Sequence, residues 1–267
     1  MKAQLEQLIR SVDSPLQRKN VAREYLQARL MAVLQRGGAF IPLAFQGGTA
    51  LRFLYNLPRH SEDLDFALEK PSDEFDFDVY ISAGEREFMK EGYVVDTKVS
   101  TEKVVQSCFF RFRGLLYDLG LSSNRDEVLS IKFEVDTHPP RGAILEVTTV
   151  RKYVLLRIQH HDRSSLLTGK IHAILSRKYT KGRDIYDLMW YLSDRSWPEP
   201  NLDLLSNALE QTGWEGVKIT SEDWKSILAQ RVSELDWKNV RGDVLPFLEH
   251  PEEVDLLDKD TILGLLK

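Results

Sequence analysis

Between Phe45 and Phe66 the chain reads FQGGTALRFLYNLPRHSEDLDF, and few folds accommodate that order of events. An apolar run from Phe40 to Phe45 is long enough for a short strand. Gly47-Gly48-Thr49 breaks it, and Ala50, Leu51, Phe53, Leu54 and Leu57 then recur at helical spacing until Pro58 stops them. A second alternation follows, with Asp63 and Asp65 pointing one way and Leu64 and Phe66 the other. Two glycines therefore open a helix, and two carboxylates share one face of the next strand.

Each half has a chemical use. Glycines at a strand-to-helix turn let the backbone come close to an anion, and the free N–H groups of the first helical turn point at it. Thr49 offers a hydroxyl donor beside them. Taken alone, Gly-Gly also suits a plain tight turn. Asp63 and Asp65, two residues apart on a strand, stand roughly 6–7 Å apart at the backbone. Their carboxylates can converge on one hard cation, or on two held about 3.5–4 Å apart. A solvated acidic strand end would carry the same D-x-D.

Composition narrows the class. The 267 residues suffice for one large domain or two modest ones, and 42% hydrophobic residues supply a core. The single cysteine, Cys108, excludes a disulfide framework and a Cys-rich zinc site; in the run Cys108-Phe109-Phe110 it reads as packing. No apolar stretch approaches the roughly 18 residues of a membrane span, and Glu6 and Arg10 stand where a signal peptide would be apolar. A cytoplasmic protein without membrane contact is expected.

The net charge of −5 hides a segregation. From Arg151 to Arg183 there are nine Lys or Arg against Asp162 alone, while Glu62 to Asp78 holds eight acids against Lys70. A basic middle between acidic flanks suits an anionic ligand gripped at one place.

Along the rest of the chain, residues 1–36 read as helix with a break near Ser14-Pro15. A polar loop is expected over 69–77 and a helix over 78–91 ending at Gly92. Strands over 93–99 and 104–112 are joined as a hairpin. Strands at 115–121, 131–136 and 151–159 continue the sheet. In the segment IKFEVD, Lys132, Glu134 and Asp136 share one face, as they would in any half-buried strand. His160-His161 are adjacent, face apart, and lack a third nitrogen ligand nearby. In TGKIHAILSRKYTKGRDIYDLMWYL, Ile171, Ile174, Leu175 and Tyr179 form an apolar stripe, Gly182 interrupts, and Asp184 and Asp187 suit a capping-box-like restart. Beyond Trp197-Pro198-Glu199-Pro200 the pattern is helical, with Asn201 and Ser221 as N-caps and Trp214, Trp224 and Trp237 as core anchors.

Three of these stretches resemble a known family. G-G-T-A-L, a helix, and R-x-S-x-D-L-D-F look like the nucleotidyltransferase superfamily, and more closely its AbiEii/MenT branch of toxins from bacterial toxin–antitoxin and phage-defence systems. K-x-E in the 131–136 strand and K-x-x-A-x-x-x-R followed by G-R-D-x-Y-D-L are similar to later motifs of that family. The resemblance implies an α/β (α+β) fold: a twisted mixed sheet with flanking helices and a helical C-terminal region. Residues 1–160 would form the catalytic domain, and 161–267 would lend Lys170 and Arg183-Asp184 to the cleft.

It implies Mg²⁺- or Mn²⁺-dependent transfer of a nucleoside monophosphate from an NTP to a hydroxyl, on RNA such as tRNA, with a cognate antitoxin protein as partner. Asp63, Asp65 and Glu134 would hold metal, with Asp136 as understudy to Glu134. Gly47, Gly48, Thr49, Arg59, Ser61, Lys170 and Arg183 would bind nucleotide, and Lys170 and Asp184 would also serve catalysis, with Asp187 a further candidate. The same fold also serves small-molecule or protein acceptors, or a non-catalytic NTP-binding module.

Overall fold

The computed structural model describes residues 2–70 and 75–267; Met1 and residues 71–74 of the expected polar loop lie outside the described residues. The chain divides into two compact units. Unit 1 comprises residues 1–56, 60–138 and 147–160, and unit 2 residues 57–59, 139–146 and 161–267.

Unit 1 opens with helices α1 (Lys2–Arg10) and α2 (Pro15–Arg36), separated where Ser14-Pro15 permits a restart. Then come β1 (Leu43–Gln46), α3 (Gly47–Tyr55), β2 (Asp63–Leu68), α4 (Phe77–Lys90), β3 (Val95–Ser100) and β4 (Val105–Phe112). A short helix α5 (Leu115–Asp118) precedes β5 (Leu129–Asp136), β6 (Leu145–Lys152) and β7 (Val154–His161). Among the described residues the seven strands form one mixed sheet in the order β3-β4-β5-β2-β1-β7-β6.

The alternation of β5 shows how the sheet is made: Leu129, Ile131, Phe133 and Val135 are buried and the residues between them half-buried. Helices α2 and α4 lie against the apolar side. Phe77 stacks on Phe133 at 5.1 Å and Phe88 meets Phe110 and Phe112 edge-on. A Cβ at Gly84 would come within 2.8 Å of the Phe110 ring, so α4 sits on β4 as closely as a glycine permits. Cys108 is buried on this side, as its apolar neighbours require.

Two expected strands fall elsewhere. Residues 115–121 turn helical because Gly114, at φ +66°, starts a turn whose carbonyl accepts from the Asp118 N–H. The adjacent Leu115 and Leu116 are both buried, which a strand could not achieve on one face. The 151–159 segment is divided between β6 and β7 by Tyr153, whose φ of +61° reverses the chain.

Unit 2 is helical: α6 (Arg163–Ser176), α7 (Gly182–Leu192), α8 (Leu202–Gln211), α9 (Trp224–Ser233), α10 (Trp237–Val244) and α11 (Lys259–Leu265). Asp162 and Asn201 cap α6 and α8 through their side chains. At α9 the N-cap position is Asp223 rather than Ser221. Helix α7 approaches α10 so closely that a Cβ at Gly182 would lie 2.8 Å from the Val240 carbonyl carbon. Ile171, Ile174 and Leu175 join the core, as does Trp224, but Tyr179 is exposed and Trp214 and Trp237 are half-buried.

Candidate active site

The parallel pairing of β2 with β5 sets Asp63 beside Lys132 and Asp65 beside Glu134. Side chains at paired positions project from the same side of a sheet, and alternate residues of each strand share that side. All three expected metal carboxylates therefore stand on one face of two adjacent strands. Asp136 stands on the same face but pairs with Ala67, one pleat further along. Burial pushes the Asp136 carboxyl above its ordinary value, although the His138 N–H bonded to it acts the other way.

The glycine turn belongs to the same constellation. Gln46 at the end of β1 pairs with Asp65, and Gly47 follows at φ +77°. A Cβ at Gly47 would overlap Asp65 Oδ2 and lie 3.1 Å from its Cβ and Cγ, so only glycine lets the carboxylate nest against this turn. Gly48 is buried behind it. Thr49 is buried too, and its hydroxyl donates to the Asp63 carbonyl. The hydroxyl expected to meet phosphate instead ties the start of α3 to the acidic strand. Ser61 lies just before that strand, its carbonyl accepting from Gln27 Nε2 at 3.1 Å; the same amide donates to Glu62 at 2.8 Å.

A lysine stands among these carboxylates. Lys132 Nζ pairs with Glu134 Oε1 at 2.8 Å, both side chains about a quarter exposed. Partial burial lowers the Lys132 ammonium, but Glu134, Asp63 and Asp65 outweigh it and hold it above its ordinary value. Among the described residues, no group of three or more His, Cys, Asp or Glu side chains is disposed around a metal-sized point. Glu134 pairs instead with the Lys132 ammonium, which also feels the charges of Asp63 and Asp65. Their all-oxygen donor chemistry suits a hard divalent cation.

The residues expected from the later motif lie in unit 2 and form a buried ion-pair network. Lys170 bonds Asp184 at 3.0 Å and Asp187 at 2.6 Å; Arg177 also pairs with Asp184. Arg59 grips Asp187 through Nε and Nη2 at 2.6 and 2.5 Å. Arg59 is 2% exposed, so the residue expected to bind nucleotide is committed inside the fold. Burial alone would weaken the charges of Lys170 and Asp184. Their partners reverse this, holding the Lys170 ammonium above and the Asp184 carboxyl below the usual values. Asp184 is not an N-cap: α7 begins at Gly182, and the carboxylate turns to Lys170 and Arg177. Arg183 stacks its guanidinium on Phe247 at 4.3 Å and its N–H donates to Asp243.

The basic run from Arg151 to Arg183 is not one belt of available charge. Lys152 faces Glu24, Arg163 lies over Trp197, and Lys170, Arg177 and Arg183 have the partners just named.

A family model described as "Nucleotidyl transferase AbiEii toxin, Type IV TA system" matches residues 29–259. The chain belongs to the AbiEii nucleotidyl transferase toxin family. As a member it is a nucleotidyltransferase, and the AbiEii match takes in the glycine turn, both acidic strands and the unit 2 network. Solved structures share the fold. JHP933 from Helicobacter pylori is 20% identical, with TM-score 0.50 over 92% of this chain and 88% of that one. A putative nucleotidyltransferase from H. pylori is 19% identical, with TM-score 0.52 over 90% and 91%. The MenT4 nucleotidyltransferase toxin of Mycobacterium tuberculosis H37Rv is 16% identical, with TM-score 0.51 over 99% of both. No curated protein matches the chain.

Among the described residues no helix is long and apolar enough to cross a membrane. Lys132 was missed as a site residue in the sequence. Its place in K-x-E, on the Glu134 face of the strand, was the available signal.

Proposed function

We propose that this toxin transfers a nucleoside monophosphate from an NTP to a hydroxyl of RNA, with tRNA as the acceptor, in a reaction that needs Mg²⁺ or Mn²⁺. The observation that carries the reading is the register placing Asp65 beside Glu134 and Asp63 beside Lys132, with the Gly47 turn against Asp65.

Asp63, Asp65 and Glu134 would hold the divalent ions. Bound there, such ions polarise the α-phosphate and neutralise charge on the attacking and leaving oxygens. The amides of the Gly47-Gly48 turn receive the β- and γ-phosphates. The acceptor hydroxyl oxygen bonds to the α-phosphorus as the bond from that phosphorus to the bridging oxygen breaks. Pyrophosphate leaves, and the hydroxyl proton passes to Glu134. Lys170 and Asp184 act through their own ion-pair network.

The family description, a toxin of a type IV toxin–antitoxin system, supports an antitoxin as partner. The cytoplasm supplies both NTPs and tRNA. Incubation with each labelled NTP and total cell extract, followed by fractionation, tests the acceptor. Label in RNA, abolished by Asp65→Ala, supports the reading; label confined to small molecules or protein contradicts it.

A further inference from the structure

The face that carries the carboxylates continues over β4 and β3, and its surface there is unlike the opposite one. On β4, Cys108, Phe110 and Phe112 are buried under α4, whereas Val105 is 42% and Phe109 36% exposed. The registers align one transverse row across four strands: Lys98 on β3, Phe109 on β4, Lys132 on β5 and Asp63 on β2. The next row runs Ser100, Ser107, Glu134, Asp65 and Gln46. With strands about 4.8 Å apart, Phe109 stands roughly 10 Å from Asp63 at the backbone. The Lys132 ammonium lies 5.5 Å from the Phe109 ring centre. Lys98 is exposed and has no ion-pair partner among the described residues, while the nearby acid Asp96 is occupied by Arg111 and Arg113.

The sheet order gives this surface a direction. Phosphoryl transfer runs in line, with the attacking oxygen entering opposite the leaving one. On the reading above, pyrophosphate leaves at the Gly47 turn, which follows β1. The carboxylates of β2 and β5 lie next in the sheet, and β4 and β3 lie beyond them. The acceptor therefore enters over β4 and β3. A partly exposed aromatic ring offers a stacking platform to a base, and an unpaired lysine one strand further meets a phosphate.

We propose that Phe109 and Lys98 seat the end of a single-stranded nucleic-acid acceptor, the ring stacking its terminal base and the ammonium contacting the adjoining phosphate. The assignment rests on the proposed RNA acceptor and adds where that acceptor sits. It also supplies a grip that the largely committed Arg151–Arg183 run does not.

The test uses the full chain, a labelled NTP and tRNA with an unpaired 3′ end, comparing wild type with Phe109→Ala, Phe109→Trp and Lys98→Ala. Both positions are exposed, and thermal melting checks that each variant is folded. Phe109→Ala is expected to raise the KM for RNA roughly ten- to hundred-fold with the KM for NTP unchanged, and Phe109→Trp to restore it. Lys98→Ala is expected to weaken RNA binding and reduce its logarithmic salt slope by about one. An unchanged RNA KM in folded Phe109→Ala, or an equal rise in the NTP KM, overturns the seat while leaving the RNA reaction standing. Wild-type protein that labels and binds no RNA overturns both.

Discussion

Gly47 and Asp65 occupy space that a single added methyl group would deny them: a Cβ on Gly47 overlaps the Asp65 carboxylate. The glycine also holds φ +77°, where an L side chain is strained. Gly47→Ala is therefore expected to cost ~1–2 kcal/mol of stability from backbone conformation and to push Asp65 out of line. Chemical denaturation should register the first effect. Single-turnover kinetics should show transfer falling at least tenfold, beyond anything the loss of folded protein explains.

Lys132 sits where a bound cation would compete with it. Lys132→Met removes the ammonium that pairs with Glu134 and offsets the charges of Asp63 and Asp65. The variant should melt lower than wild type without metal and gain more on adding Mn²⁺. Its Mn²⁺ affinity, read by calorimetry, should rise by roughly tenfold or more, since a unit charge about 4 Å away is worth ~1 kcal/mol in bulk water and ~4 kcal/mol near a protein surface. Affinity that is unchanged or weaker would show that Lys132 does not compete for the carboxylates.

Asp187 is fully buried between Arg59 and Lys170. Removing one member of a buried ion cluster strands the others, and Asp187→Ala should destabilise by ~3–5 kcal/mol. The loss should appear as a lower denaturation midpoint of the full chain, with Asp187→Asn intermediate because an amide still accepts hydrogen bonds. A variant within ~1 kcal/mol of wild type would contradict the network's structural role.

The sequence exposed some of this and concealed the rest for definite reasons. The Gly47-Gly48 turn and the D-x-D strand were legible because period-two alternation and helix-breaking residues are local signals. That Asp65 and Glu134 are neighbours is a matter of register between strands about seventy residues apart, which no local pattern encodes; only the family resemblance joined them. The family resemblance alone made Arg59 a nucleotide ligand, and its buried pairing with Asp187 was not legible because that partner is 128 residues away. The bond from the Thr49 hydroxyl to the Asp63 carbonyl was equally hidden, since a backbone carbonyl leaves no mark in sequence. Residues 115–121 alternate weakly enough to pass for a strand, and the left-handed Gly114 decides otherwise.

The most direct test is NTP transfer by Asp63→Asn, Asp65→Asn and Glu134→Gln beside wild type, with melting curves to confirm folding. Loss of any one carboxylate should remove ~3–4 kcal/mol of transition-state stabilisation, a fall of about 10²–10³-fold in rate, with the fold intact. A folded Asp65→Asn or Glu134→Gln protein that incorporates NTP at the wild-type rate would contradict the account.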